Sequence, residues 1–163
     1  MRPYLWAALI VLSTMVDAGA AEYYVAKTGS DANSCTAAQS IATPKLTFAS
    51  AKTCLAAGDT LFIRAGVYAE RIVSADLPSG LSATSPTTIS AYNDEVVTFR
   101  YSTTATPIRV LELVNRNNLR FYGIDWDGAL TTWETIKINA PSTNITIDGP
   151  APVGGAYKCK VRN

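Results

Sequence analysis

Asp125-Trp126-Asp127 is the run in this chain whose residue types come closest to a site. On an extended strand the two carboxylates project from one face. Asp125 and Asp127 are therefore candidate ligands for a hard cation such as Ca²⁺, which needs more oxygens than this pair supplies. A bend that turned Trp126 outward would give a surface for stacking a sugar ring. The plainer reading buries Trp126, leaves Asp125 in solvent and takes Asp127-Gly128 as a turn. Arg120 and Tyr122 point outward on one strand and are the candidate catalytic pair, a base and a phenolic donor. Arg64, Arg71 and Arg100 could bind carboxylates bidentately, and Arg100 joins Trp126 as a candidate substrate-binding residue. Solvated surface or ladder pairing is the plainer reading of each of these residues. Asn144-Ile145-Thr146 is a formal glycosylation sequon.

Composition removes whole classes of mechanism. The 163 residues contain no His, so Ser-His-Asp, Cys-His and His-metal chemistry drop out. Fourteen Lys and Arg face 13 Asp and Glu, a net charge of +1, which argues against a nucleic-acid partner. With 48 % hydrophobic and 17 % charged residues the chain is not a disordered polyelectrolyte. Its length fits one domain.

Residues 1–20 read as a secretory leader: Met1-Arg2, an apolar run from Leu5, then Ala18-Gly19-Ala20. A buried first helix or an uncleaved membrane anchor is the alternative. Removing the leader takes one basic and one acidic residue, Arg2 and Asp17, and no second apolar stretch would then hold the chain in a membrane. Export places the protein in a secreted, periplasmic or cell-surface location, where Cys35 and Cys54 can pair. Closing that loop is worth roughly 3 kcal/mol on a chain-entropy account. Cys159 is left over, either a buried thiol or one whose partner lies in other sequence.

Positioning elements follow from the local patterns. Glu22 to Ala26 reads as a strand, and Pro44 to Ala57 as the one helix, with Thr47 as N-cap, Phe48, Ala51 and Leu55 on one face, and Gly58 as the stop. Beyond Asp59, short β-branched and aromatic runs alternate with Gly, Pro, Asn, Asp and Ser: Thr60–Ile63, Thr87–Tyr92, Val96–Phe99, Ile108–Val114, Leu119–Trp126, Thr135–Ile138 and Asn144–Ile147. That is an all-β body.

An internal repeat gives the body its register. Asn118-Leu119-Arg120-Phe121-Tyr122-Gly123 aligns with Asn144-Ile145-Thr146-Ile147-Asp148-Gly149, and Leu111-Glu112-Leu113 with Ile136-Lys137-Ile138. Stacked coils produce such a period of about 25 residues. Leu111, Leu113, Leu119, Phe121, Ile136, Ile138, Ile145 and Ile147 then face inward. The same register sets Glu112 against Lys137 and Arg109 against Glu134. A β-sandwich with coincidental repeats is the alternative.

With these segments in place, the chain resembles the N-terminal part of right-handed parallel β-helix proteins of the pectate-lyase-like fold. The resemblance rests on Tyr24-Val25-Ala26-Lys27-Thr28-Gly29-Ser30-Asp31, on Thr43-Pro44 with Thr47-Phe48 and Ala51, and on the run Ala57 to Tyr68. Ser85 to Tyr92 is similar to a segment of carbohydrate-active members of the alginate-lyase and chondroitinase-B type. The resemblance implies an N-terminal cap over residues 21–57 and about four coils over 58–163. It further implies an exported protein that binds or cleaves polysaccharide, with lyase activity on acidic glycans ahead of hydrolysis. A non-catalytic, adhesin-like or structural module is the rival. No catalytic motif of the family maps onto these residues. With no closing cap in sight, the expectation is an inactive fragment, or a short solenoid that associates through its uncovered C-terminal end.

Overall fold

The computed structural model describes residues 19–101, 109–131 and 133–149, together with the backbone of 161–162. Residues 1–18 of the leader pattern, Ile108 and Cys159 lie outside the described residues. The architecture is all-β with parallel sheets and, among the described residues, one α-helix.

The five-stranded sheet is built from β1 (Glu22–Val25), β2 (Thr60–Ile63), β5 (Thr87–Ala91), β8 (Asn117–Tyr122) and β11 (Thr143–Asp148), in that order. A four-stranded sheet holds β3 (Gly66–Tyr68), β6 (Val97–Arg100), β9 (Ile124–Asp127) and β12 (Val161–Arg162). The third sheet contains β4 (Ile72–Val73), β7 (Leu111–Val114) and β10 (Ile136–Asn139). From β2 onward the chain visits the three sheets in strict rotation, and every pairing is parallel.

The register agrees with the repeat. Ile145 stands opposite Leu119 and Ile147 opposite Phe121, while Ile136 and Ile138 face Leu111 and Leu113. Arg109 meets Glu134 through an Nε–Oε2 bond of 3.0 Å. Lys137 lies opposite Glu112, but the Glu112 carboxylate accepts from Arg109 at 3.0 Å and Arg71 at 3.4 Å instead. Lys137 sits near the Trp133 ring, 5.9 Å from its centroid. Of the inward positions, Ile138 departs from expectation at 42 % exposure, β10 being the end strand of its sheet among the described residues.

Two expected elements come out differently. Leu119–Trp126 is two strands, since Gly123 takes φ 69° and turns the chain from one sheet to the next. The helix over Pro44 to Ala57 contracts to α1 (Phe48–Ala51) plus a 3-10 turn, Lys52–Cys54. Thr47 caps it, its Oγ1 accepting from Ser50 N at 3.1 Å. Upstream residues stand outside the helix: Thr47 is extended, and Asp31 accepts the Leu46 and Thr47 N–H groups, both at 3.0 Å. Downstream, Leu55 is extended, and Asp59 takes the Ala56 N–H at 2.8 Å. Glu70 holds the N-terminal amides, Phe48 N at 3.0 Å and Ala49 N at 2.7 Å. Phe48 and Ala51 are thereby pressed onto the core.

Aromatic rings in register fill the centre. Tyr68, Phe99 and Trp126 are successive partners on β3, β6 and β9, with ring centroids 5.6 and 5.8 Å apart. Phe121 meets Trp126 edge-on at 5.6 Å, and Phe48 meets Phe99 at 5.7 Å. Such contacts add roughly 1 kcal/mol each beyond the area they bury.

Candidate functional site

Alternation puts Tyr23, Val25, Leu61, Ile63 and Ile89 in the core, so their neighbours form the outer face of the five-stranded sheet. Parallel register lines those neighbours up across it. One row reads Tyr24, Phe62, Ser90, Tyr122, Asp148, and the next Glu22, Thr60, Thr88, Arg120, Thr146. Large rings on β2 and β8 flank small side chains on β5. The result is an open groove of about 450 Å³ lined by Thr60, Phe62, Thr88, Ser90, Arg120 and Tyr122.

Its walls are held from outside. Tyr24 stacks on Phe62 at 5.6 Å, and Tyr92 meets Phe62 edge-on at 5.8 Å, fixing that ring against the strand. On the opposite wall the Arg120 guanidinium lies 4.9 Å from the Tyr122 ring centroid and donates to Asp148 Oδ2 at 3.0 Å. Phe62 and Tyr122 stand two strand spacings apart, about 10 Å. On the floor, the Ser90 hydroxyl donates to Ala91 O at 2.9 Å and keeps its lone pairs for another donor. Aromatic faces with hydroxyls between them make a surface that can stack a sugar ring and hydrogen-bond its edge.

The structure brings Arg120 and Tyr122 together on this groove and takes Trp126 away from any surface. Trp126 is fully buried between Phe99 and Phe121, so it cannot stack a ligand; strand alternation prevails over the bend that would have exposed it. Arg100 remains at the surface, but its Nε donates to Asp127 Oδ2 at 2.8 Å. Asp127 is buried and also accepts the Ala129 N–H at 3.0 Å, so this carboxylate serves the ion pair and the turn. Asp125 lies half-buried on the outer face of β9. Among the described residues no group of three or more Cys, Asp or Glu is placed to hold a metal ion. Arg71 pairs with Glu112, and Arg64 with Glu95. Asn144, the sequon residue, donates its amide to Asn118 Oδ1 at 2.9 Å. Cys35 and Cys54 form a disulfide.

Sequence reasoning passed over Tyr24, Phe62, Thr88 and Ser90. The signal was the parity of β2 and β5: once Leu61 and Ile63 face inward, Phe62 must face out. A second, smaller hollow of about 200 Å³ lies beyond the end of β2, lined by Lys27, Thr28, Arg64 and Glu95 among others. Glu95 accepts both Arg64 Nε contacts at 2.8 Å and the Ala65 N–H at 2.6 Å. The Arg64 bond, more than any other, keeps its carboxyl below the usual range. Comparison of the chain with protein-family models, curated proteins and solved structures finds no match.

Proposed function

We propose that this chain is an exported right-handed parallel β-helix protein, of the pectate-lyase-like kind, that binds polysaccharide on the outer face of its five-stranded sheet. The rotation of the chain through three parallel sheets supports the solenoid, and the strong preference of parallel crossovers for one hand supports its being right-handed. Export is supported by the Cys35–Cys54 disulfide together with the leader pattern at residues 1–20. The observation that carries the binding function is the row Phe62, Ser90, Tyr122, two aromatic walls with a small polar floor.

Lytic cleavage is the second reading, favoured by Arg120 beside Tyr122 over the same groove. The lining pairs one guanidinium with one phenol, and the single carboxylate beside them, Asp148, is bonded to Arg120, a set suited to proton abstraction and not to hydrolysis by a carboxylate pair. Retention of the full chain on columns of immobilised polysaccharides tests both. Retention without ultraviolet absorbance from a new double bond makes it a binding module; absorbance that disappears in Tyr122→Phe makes it a lyase. Free passage through pectin, alginate, glucan and mannan columns alike would remove the polysaccharide reading.

A further inference from the structure

The charge of a polysaccharide ligand is written into the outer face itself. Across the two rows the ionisable side chains that carry charge at neutral pH are Glu22 at one edge, Asp148 at the other, and Arg120. Arg120 is already committed, its Nη2 donating to Asp148 Oδ2 at 3.0 Å. A uronate or sulfate entering the groove would have to displace Asp148 or lie beside it, and like charges at such distances repel by kilocalories at protein-surface dielectric. Among the described residues, the smaller hollow holds two further cations: Arg64 is held by Glu95, and Lys27 lies 5.0 Å from the Tyr68 ring centroid. The lining otherwise offers rings and hydroxyls, from Phe62, Tyr122, Thr60, Thr88 and Ser90.

We infer that the groove takes an uncharged glycan, with Phe62 and Tyr122 as its stacking walls and the Arg120–Asp148 pair as a donor–acceptor clamp on adjacent sugar hydroxyls. The inference rests on the polysaccharide reading above and departs from the acidic substrate that the family resemblance implies. Arg120 has five N–H groups, of which Asp148 engages those on Nε and Nη2, so guanidinium donors remain to meet a hydroxyl while Asp148 oxygens accept from its neighbour.

Calorimetric titration of the full chain with oligogalacturonate, its fully methyl-esterified form, and gluco- and manno-oligosaccharides separates the outcomes. The expected result is binding of at least one neutral oligosaccharide, with any acidic form about tenfold weaker or undetectable. Raising sodium chloride to roughly 0.5 M should leave the neutral affinity unchanged. Phe62→Ala and Tyr122→Ala should each weaken it about tenfold, Thr88→Trp should abolish it by filling the floor, and Asp148→Asn should weaken it several-fold by releasing Arg120. Thermal midpoints matching the parent protein show that these outer-face variants fold. Tighter binding of the free acid than of its ester, weakened by salt and strengthened by Asp148→Asn, would overturn the inference and leave the polysaccharide reading standing. Failure to bind any of the four would overturn both.

Discussion

At the scale of single residues, the same side-chain types serve opposite ends depending on which face they occupy. Trp126 and Tyr122 are both aromatic and only four positions apart in sequence, yet one lies in the core and the other walls the groove. Trp126→Ala should therefore cost about 3–5 kcal/mol in a denaturant titration, whereas Trp126→Phe should leave the proposed glycan retention intact, an outcome that loss of retention in this variant alone would contradict. Glu95 is the residue to follow with pH. Its folded carboxyl titrates below the ordinary value, first because Arg64 donates to it. The stability it contributes is present above the unfolded carboxylate pKa and is lost as pH falls through the folded one. Glu95→Gln should lower the melting temperature at neutral pH and flatten its decline in acid. Parallel melting curves for the two proteins would show that Glu95 carries none of the acid sensitivity. Asp31 acts with the same sign: burial opposes its ionisation, but hydrogen bonds from Thr47 and Leu46 prevail and hold its carboxyl low. Tyr68 is displaced the other way, its phenol raised well above the usual range chiefly by burial, and its hydroxyl donates to Arg64 O at 2.9 Å.

Among the elements, the short helix and the loops around it depend on close backbone approaches. A Cβ at Gly29 would lie 2.3 Å from Lys45 O, and one at Gly80 would lie 2.4 Å from Asn118 O and 2.5 Å from Thr87 N. Those obstacles are backbone atoms, which cannot swing aside. Gly80→Ala should destabilise by roughly 2–3 kcal/mol. A melting temperature equal to that of the parent protein would show that the approach of Gly80 to Thr87 and Asn118 is loose. The Cys35–Cys54 bond ties the loop before α1 to the turn after it. Replacing both residues with Ser should remove about 3 kcal/mol, read as a fall in the urea midpoint that reductant reproduces in the parent protein. Asn residues hold the turn positions elsewhere. Asn118 and Asn144 both take left-handed φ, 56° and 53°, a conformation Asn tolerates better than most side chains, and they hydrogen-bond to each other.

For the whole molecule, each strand meets only the strands of adjacent layers, so the proposed solenoid should unfold unevenly along its axis. Hydrogen exchange should be slower in strands paired on both sides, such as β2, β5 and β8, than in β10, which ends its sheet among the described residues with Ile138 exposed. Uniform protection across these strands would mean that the layers unfold as one unit.

Much of this organisation was legible in the sequence, because apolar alternation and the repeat of Leu119 and Phe121 in Ile145 and Ile147 report directly on which residues must be buried against one another. Parallel strands, the Arg109–Glu134 contact and the Thr47 cap follow from that local bookkeeping. Helix length did not, since Asp31 captures the amides of Leu46 and Thr47 from a distance in sequence, and Asp59 takes that of Ala56 from the turn beyond the helix. Nor did the partners of Glu112, which were decided by where Arg71 and Arg109 reach. The groove was least legible of all. Tyr24, Phe62, Ser90 and Tyr122 come from four separate strands, and only sheet order and register set them in one row. Burial preference is a property of each residue and its neighbours in the chain; a site made from residues far apart exists only once the strands have paired.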